Sequence, residues 1–327
     1  MWFLPIERVK CDWRHVKKHA QLMLFNVFGH VGKLASRGLA SSAICAVGLN
    51  VSADTVISSN FTQNGGTYFI TPPTLHVTHD TNNPLLTLTG GASTSNVQAT
   101  VIGTFSGHEG QLLIDGGSGL SNIGDGSYIA GNVQRGAGNL GLNAGSIGIA
   151  TIRGTNSRWS NSHTFNVGLY GVGTLNVEAG GLISDGSGQI GTYAGSSGVA
   201  TISGGDSRWN NSLRLDVGVF GAGTLNVNAG GKIVSQAGSI GYSSVANNVA
   251  TIAGTGSSWT TSGDLYVGES GRGTLFIEAG GQVDNFWGRM YRGECKRPGY
   301  GSSFRDWLAV ENFKPLCRRV RQRQHDR

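Results

Sequence analysis

From about position 54 to position 284 the chain is written in short runs where apolar and polar residues alternate. Leu213-Arg214-Leu215-Asp216-Val217 and Thr224-Leu225-Asn226-Val227 are typical. Such runs have period two, are rich in β-branched residues, and are bounded by Gly, Asn and Ser. That is the pattern of half-buried strands. No stretch between 54 and 284 places apolar residues at helical spacing with caps, so an all-β body is expected.

The runs recur every 50 residues in strict register. GVGTLNVEAGG occupies 171–181, GAGTLNVNAGG 221–231 and GRGTLFIEAGG 271–281. Ala-Thr-Ile recurs at 150–152, 200–202 and 250–252, followed by Trp159, Trp209 and Trp259. A half-repeat lies inside each unit. The offset from Ile202 to Leu225 and from Val217 to Ile240 is 23 residues, which divides a unit into coils of 23 and 27. Repetition without insertion means that each unit packs on its neighbour in the same way, as in a solenoid. Short strands and glycine-rich corners make it an all-β parallel β-helix with two coils per 50-residue repeat.

Stacked coils place equivalent residues about 4.8 Å apart. Three ladders are expected. The first holds Ile152, Leu175, Ile202, Leu225, Ile252 and Leu275. The second holds Val167, Ile190, Val217, Ile240 and Val267. The third alternates Trp159, Ile183, Trp209, Ile233, Trp259 and Val283. The tryptophans are either core residues or an outward platform for sugars. Their fixed register favours the core, and so does a polar neighbour on the opposite strand face, as in Ser157-Arg158 and Ser207-Arg208.

Composition separates the body from the ends. Residues 54–284 hold 46 of the 54 glycines, with 7 Lys and Arg against 13 Asp and Glu. The ends hold 18 basic and 6 acidic residues, so the net charge of +6 belongs to them and does not imply nucleic-acid binding by the body. All four cysteines, Cys11, Cys45, Cys295 and Cys317, lie outside it. A cysteine-free body suits a chain that crosses an outer membrane unfolded.

Residues 1–53 read as a signal peptide or extended leader. LASSAICAVGLNVSA at 39–53 is an apolar segment ending in Val51-Ser52-Ala53, with Lys33 and Arg37 before it. Cleavage is expected after Ala53. Met1 and Met23 are alternative starts. No apolar run reaches the ~18 residues of a membrane-spanning helix. Residues 54–98 read as N-terminal strands and a cap, and 99–285 as the repeat body. The pattern stops at Phe286, and 286–327 read as a basic irregular tail, expected to be a truncated or out-of-frame terminus.

The chemistry-bearing residues are scattered. His76 and His79 lie near Asp80, but a metal site needs three or four converging ligands. Gly116-Gly117-Ser118-Gly119 has the look of a calcium-binding glycine repeat without its aspartate. Glu178 and Glu278 are equivalent but four coils apart, about 19 Å. That exceeds the roughly 5 to 9.5 Å between the carboxyls of a glycosidase. Glu178 with Asp185, and Asp206 with Asp216, remain as pairs that folding could join. No catalytic residue, metal ligand or cofactor is assigned.

The SRWxNS segments at 157–162 and 207–212, followed by GxGTLNVxAGG, resemble the repeat of type V secretion autotransporter passengers and of some PEP-CTERM-associated surface proteins. The resemblance covers about 150–283, with degenerate copies over 96–148. It implies a right-handed parallel β-helix, export through the outer membrane, and adhesin-like binding of a surface receptor or glycan. It also implies a C-terminal translocator barrel of ~10-residue alternating segments. None follows Val283, so the chain reads as the front of a passenger that would stop in the periplasm. The other expectations are a secreted carbohydrate-active β-helix enzyme and a non-functional product of a frameshifted gene.

Overall fold

The computed structural model describes residues 55–69, 74–95, 97–129 and 133–285, together with the backbone of 290–292. The leader and cleavage readings at 1–53, and the tail reading apart from 290–292, lie outside the described residues. Every regular element among the described residues is a strand, and no helix among them is long and apolar enough to cross a membrane.

The strands form three parallel sheets of nine, nine and ten strands. Successive strands of one sheet are separated in sequence by strands of the other two, so the chain winds as a β-solenoid of about nine turns. The long sheet contains the seven-residue strands Ile147–Arg153, Val172–Glu178, Ser197–Ser203, Ala222–Asn228, Asn247–Ala253 and Arg272–Glu278. The tryptophan sheet contains Arg158–Asn161, Leu182–Asp185, Arg208–Asn211, Lys232–Ser235 and Ser258–Thr261. The third contains Thr164–Val167, Ser187–Ile190, Arg214–Val217, Ala237–Ile240 and Leu265–Val267. Strands between Thr55 and Ser95 lie in the same three sheets, so the N-terminal segment is continuous with the body. Met290–Arg292 pairs with Leu265–Val267, which carries the third sheet past residue 286.

Side chains alternate inward and outward as the period-two pattern requires. Trp159, Ile183, Trp209, Ile233, Trp259 and Val283 pair in that order. Val167, Ile190, Val217, Ile240 and Val267 do likewise. The first expected ladder is out of register by two residues. Ile202 pairs with Val177 and Val227, and Ile252 with Val227 and Ile277; Leu225 and Leu275 face Ala200 and Ala250 instead. The step along the long sheet is 25 residues, as from Ala200 to Leu225, whereas the third sheet steps by 23 from Val167 to Ile190 and 27 from Ile190 to Val217. The corners absorb the difference, so an offset taken from one sheet does not transfer to another.

Size is balanced across the coils. Trp159, Trp209 and Trp259 are each 0 % exposed. Glycines of the third sheet make room for them. A Cβ on Gly188 would lie 2.6 Å from Trp209 Cζ2, and one on Gly238 2.8 Å from Trp259 Cζ2. Phe165 meets Trp159 edge-on at 4.8 Å and Trp209 at 5.9 Å, a favoured aromatic geometry.

The Ala-Gly-Gly at the end of each repeat motif is a corner. Ala179, Ala229 and Ala279 have φ near +50°, an uncommon conformation for a residue with a side chain. Gly181, Gly231 and Gly281 press on the preceding turn; a Cβ there would meet the carbonyl oxygens of Ile152, Ile202 and Ile252 within 2.3 Å. The buried serine before each tryptophan ties the turns together. The Ser207 hydroxyl accepts the Gly180 N–H at 3.0 Å, and the Ser257 hydroxyl accepts that of Gly230 at 2.9 Å.

Candidate functional site

The described side chains fall into an interior polar ladder, two outer sheet faces and one ridge. The interior ladder closes the inward face of the tryptophan sheet with Asn122, Asn161, Asp185, Asn211, Ser235 and Thr261, all buried. Asn122 Nδ2 donates to Asn161 Oδ1 at 2.7 Å. Trp209 Nε1 donates to Asp185 Oδ2 at 2.6 Å, and Trp259 Nε1 to Ser235 Oγ at 3.0 Å. Asp185 Oδ1, Asn161 Nδ2 and Asn211 Oδ1 have no hydrogen-bond partner. Burial pushes the Asp185 carboxyl well above the usual carboxylate range, against the opposing effect of the Trp209 hydrogen bond. A neutral carboxylic acid fits this place, since its O–H can donate where a carboxylate can only accept. With their rings in the core, the three tryptophans present no face to a sugar.

The carboxylates singled out in the sequence are kept apart. Glu178 is exposed at the end of a long-sheet strand, and Asp185 lies in the interior. Asp206 is exposed in a turn, while Asp216 is buried on the third sheet. His79 Nδ1 lies 3.2 Å from Asp80 Oδ1 and accepts the Thr81 N–H. No group of three or more His, Cys, Asp or Glu that could hold a metal occurs among the described residues. A shallow dip on the outer face of the long sheet is lined by Thr201, Asn226, Asn228, Thr251 and Ala253, with no ionisable side chain.

One charged cluster brings together residues that the sequence did not pair. The Arg214 guanidinium donates to both Asp216 oxygens, with Nη2 to Oδ1 at 3.1 Å, and lies 3.6 Å from Glu269 Oε2. Ser239 Oγ also donates to Asp216 at 2.8 Å. Burial raises the Glu269 carboxyl, the neighbouring Asp216 carboxylate adds to the rise, and Arg214 only partly counters them. Burial works against the charge on Arg214, yet Asp216 and Glu269 outweigh it and raise the guanidinium further. Asp216 on the same strand and Glu269 two turns further along hold one guanidinium, an ion-pair strut that bridges the turn between them.

The strut flanks a ridge. Between the third and the long sheet the turns bend at Gly103, Gly141, Gly168, Gly191, Gly218, Gly241 and Gly268, and an aromatic residue follows closely in five of these seven, at Phe105, Tyr170, Tyr193, Phe220 and Tyr242. Tyr170 and Tyr193 stack in parallel with ring centroids 4.2 Å apart. Phe220 and Tyr242 meet edge-on at 6.3 Å, and Arg214 Cζ lies 6.0 Å from the Tyr242 ring centroid. The corner backbone is hydrogen-bonded turn to turn, Tyr193 N to Leu169 O at 3.1 Å and Phe220 N to Thr192 O at 3.1 Å. Sequence reasoning missed the ridge. The available signal was an aromatic residue two positions after a corner glycine, as at Gly103, Gly168, Gly191 and Gly218.

No protein-family model, curated protein or solved structure matches this chain.

Proposed function

We propose that this chain is exported from the cytoplasm and serves as a passenger-type surface protein, adhesin-like, that binds a receptor or glycan on host or neighbouring cells without catalysing a reaction. The observation that carries the reading is the division of labour in the solenoid. Inward positions are filled by packed apolar ladders and hydrogen-bonded Asn, Asp, Ser and Thr. Outward positions of the long sheet present uncharged Thr174, Asn176, Thr201, Thr224, Asn226 and Thr251 on a backbone tied turn to turn. A rigid elongated scaffold with a polar surface suits repetitive contact with another surface. The likeness of SRWxNS and GxGTLNVxAGG to autotransporter passenger repeats supports the same reading, as does a body without cysteine.

Adhesion tests this directly. Beads coated with the full chain should be retained on bacterial or epithelial cell layers several-fold more than beads coated with the heat-unfolded chain. Equal retention of the two would overturn the binding reading.

A further inference from the structure

The five aromatic side chains that are exposed among the described residues gather at one place. Phe105, Tyr193, Phe220 and Tyr242 are 45 %, 38 %, 46 % and 39 % exposed, and all four sit on the corner between the third and the long sheet. The fifth, Tyr128, is 68 % exposed and belongs to the small antiparallel hairpin of Tyr128–Ile129 and Val133–Gln134. Val133 packs that hairpin against Leu142, Leu169 and Tyr170 of the same corner. The Tyr128 hydroxyl is close enough to influence that of Tyr193. Burial first, and then the neighbouring phenols of Tyr170 and Tyr128, raise the Tyr193 hydroxyl.

The core does not require these rings, because the ladders are complete without them. Random placement does not put four of the five exposed aromatics among the described residues on one edge of a three-sided solenoid and the fifth on a hairpin packed against it. Exposed apolar surface gathered in this way marks a contact site. From the Tyr170 turn to the Tyr242 turn is three steps of about 4.8 Å, roughly 14 Å, with Phe105 two turns further along the same corner. The aromatic side chains follow one another at one position per turn, a line rather than the broad ~800 Å² per partner of a standard protein interface. Arg214, beside Phe220 and Tyr242, is already held by Asp216 and Glu269, and Arg135, beside Tyr128, donates to Ser127 Oγ at 3.2 Å, so neither cation is presented as a binding group for an acidic ligand. Tyrosine presents an apolar body and a hydroxyl at low entropic cost. A ligand that fits is long, thin, uncharged, rich in hydroxyls and apolar on its ring faces.

We propose that the ridge of Tyr128, Tyr170, Tyr193, Phe220 and Tyr242 binds an uncharged polysaccharide chain lying along the solenoid axis. Each turn advances by a step comparable to one sugar ring, so successive corners meet successive sugars. Phe220 and Tyr242, set edge to face, offer ring surface to the apolar side of the sugar. Tyr170 and Tyr193 cover each other's faces and contribute ring edges and hydroxyls. The proposal rests on the surface-binding reading and names its ligand class.

Native gel electrophoresis of the full chain through matrices containing hydroxyethylcellulose, mixed-linkage β-glucan, xyloglucan, galactomannan or anionic alginate tests it. Retardation is expected in at least one uncharged matrix and none in alginate. The triple variant Tyr193→Ser, Phe220→Ser, Tyr242→Ser should weaken retardation at least tenfold. Val234→Ser, at an exposed position on the tryptophan sheet, should leave it unchanged. Melting followed by circular dichroism should be the same for all three proteins, which separates lost binding from lost fold. Retardation in alginate alone, in no matrix, or undiminished in a folded triple variant would overturn the proposal. Beads carrying that variant distinguish the two readings: if they still adhere to cells, the surface-binding reading stands and only the ridge assignment falls.

Discussion

Replacing Gly188 by alanine adds one methyl group where the core side chains press closely on the backbone. The new Cβ would lie 2.5 Å from Asn211 Oδ1, 2.6 Å from Trp209 Cζ2 and 2.8 Å from Leu215 Cδ1, where ordinary contacts are 3.4–4 Å. The tryptophan cannot yield easily, because its Nε1 is held by Asp185 at 2.6 Å and Phe165 abuts its ring at 5.9 Å. Overpacking of this kind costs about 1–3 kcal/mol. Replacing a strand glycine by alanine returns about 0.5–1 kcal/mol through backbone entropy. The net expectation is a destabilisation of about 1–2 kcal/mol. Gly205→Ala is the control, since a Cβ there meets nothing within 4 Å and φ is not positive. It should be neutral or slightly stabilising. In a Trp209→Leu background, itself destabilised by a cavity, the added cost of Gly188→Ala should shrink, with the contacts to Asn211 and Leu215 remaining, and that non-additivity is the signature of direct contact with the tryptophan. Urea unfolding of the full chain, followed by circular dichroism, measures the wild type and the four variants. If Gly188→Ala unfolds no earlier than Gly205→Ala, the size-balance argument is wrong.

Two further perturbations test the interior. Asp185 has a raised carboxyl in the fold, so the folded state binds more protons than the unfolded state as pH climbs above the ordinary aspartate range of about 3.9. Its contribution is therefore fully present below that value and is lost as pH rises toward the folded pKa; Asp185→Asn should flatten the fall in melting temperature between pH 4 and pH 8, and an unchanged slope would contradict the assignment. Ser257→Ala removes the acceptor of the buried Gly230 N–H, and leaving that donor unsatisfied should cost about 1–3 kcal/mol in the same unfolding assay, against a null effect if water takes the place of the hydroxyl.

The repeat made the strands, the three-sided winding and two of the three ladders legible, because identical motifs at fixed spacing must stack. The long-sheet ladder slipped because Ile202 and Leu225 share a flanking Thr but not a place in the turn. Alanine at 150, 200 and 250 is the true partner of leucine, a small residue set against a large one. Asp185 looked like one half of a catalytic pair, yet pairing places it opposite Asn211 inside the solenoid. Nothing in the local sequence distinguishes an inward aspartate from an outward one until the register is known. The ridge stayed hidden because its aromatics follow corners of unequal length. Tyr170 to Tyr193 is 23 residues, Tyr193 to Phe220 is 27 and Phe220 to Tyr242 is 22, so no fixed period connects them.

The central claim is that this solenoid acts outside the cytoplasm, and the mature N-terminus tests it most directly. The full chain, expressed in a Gram-negative host and recovered from periplasmic, surface and medium fractions, should begin at Asp54 after cleavage behind Ala53. A chain that keeps its leader and remains in the cytosol would contradict the account.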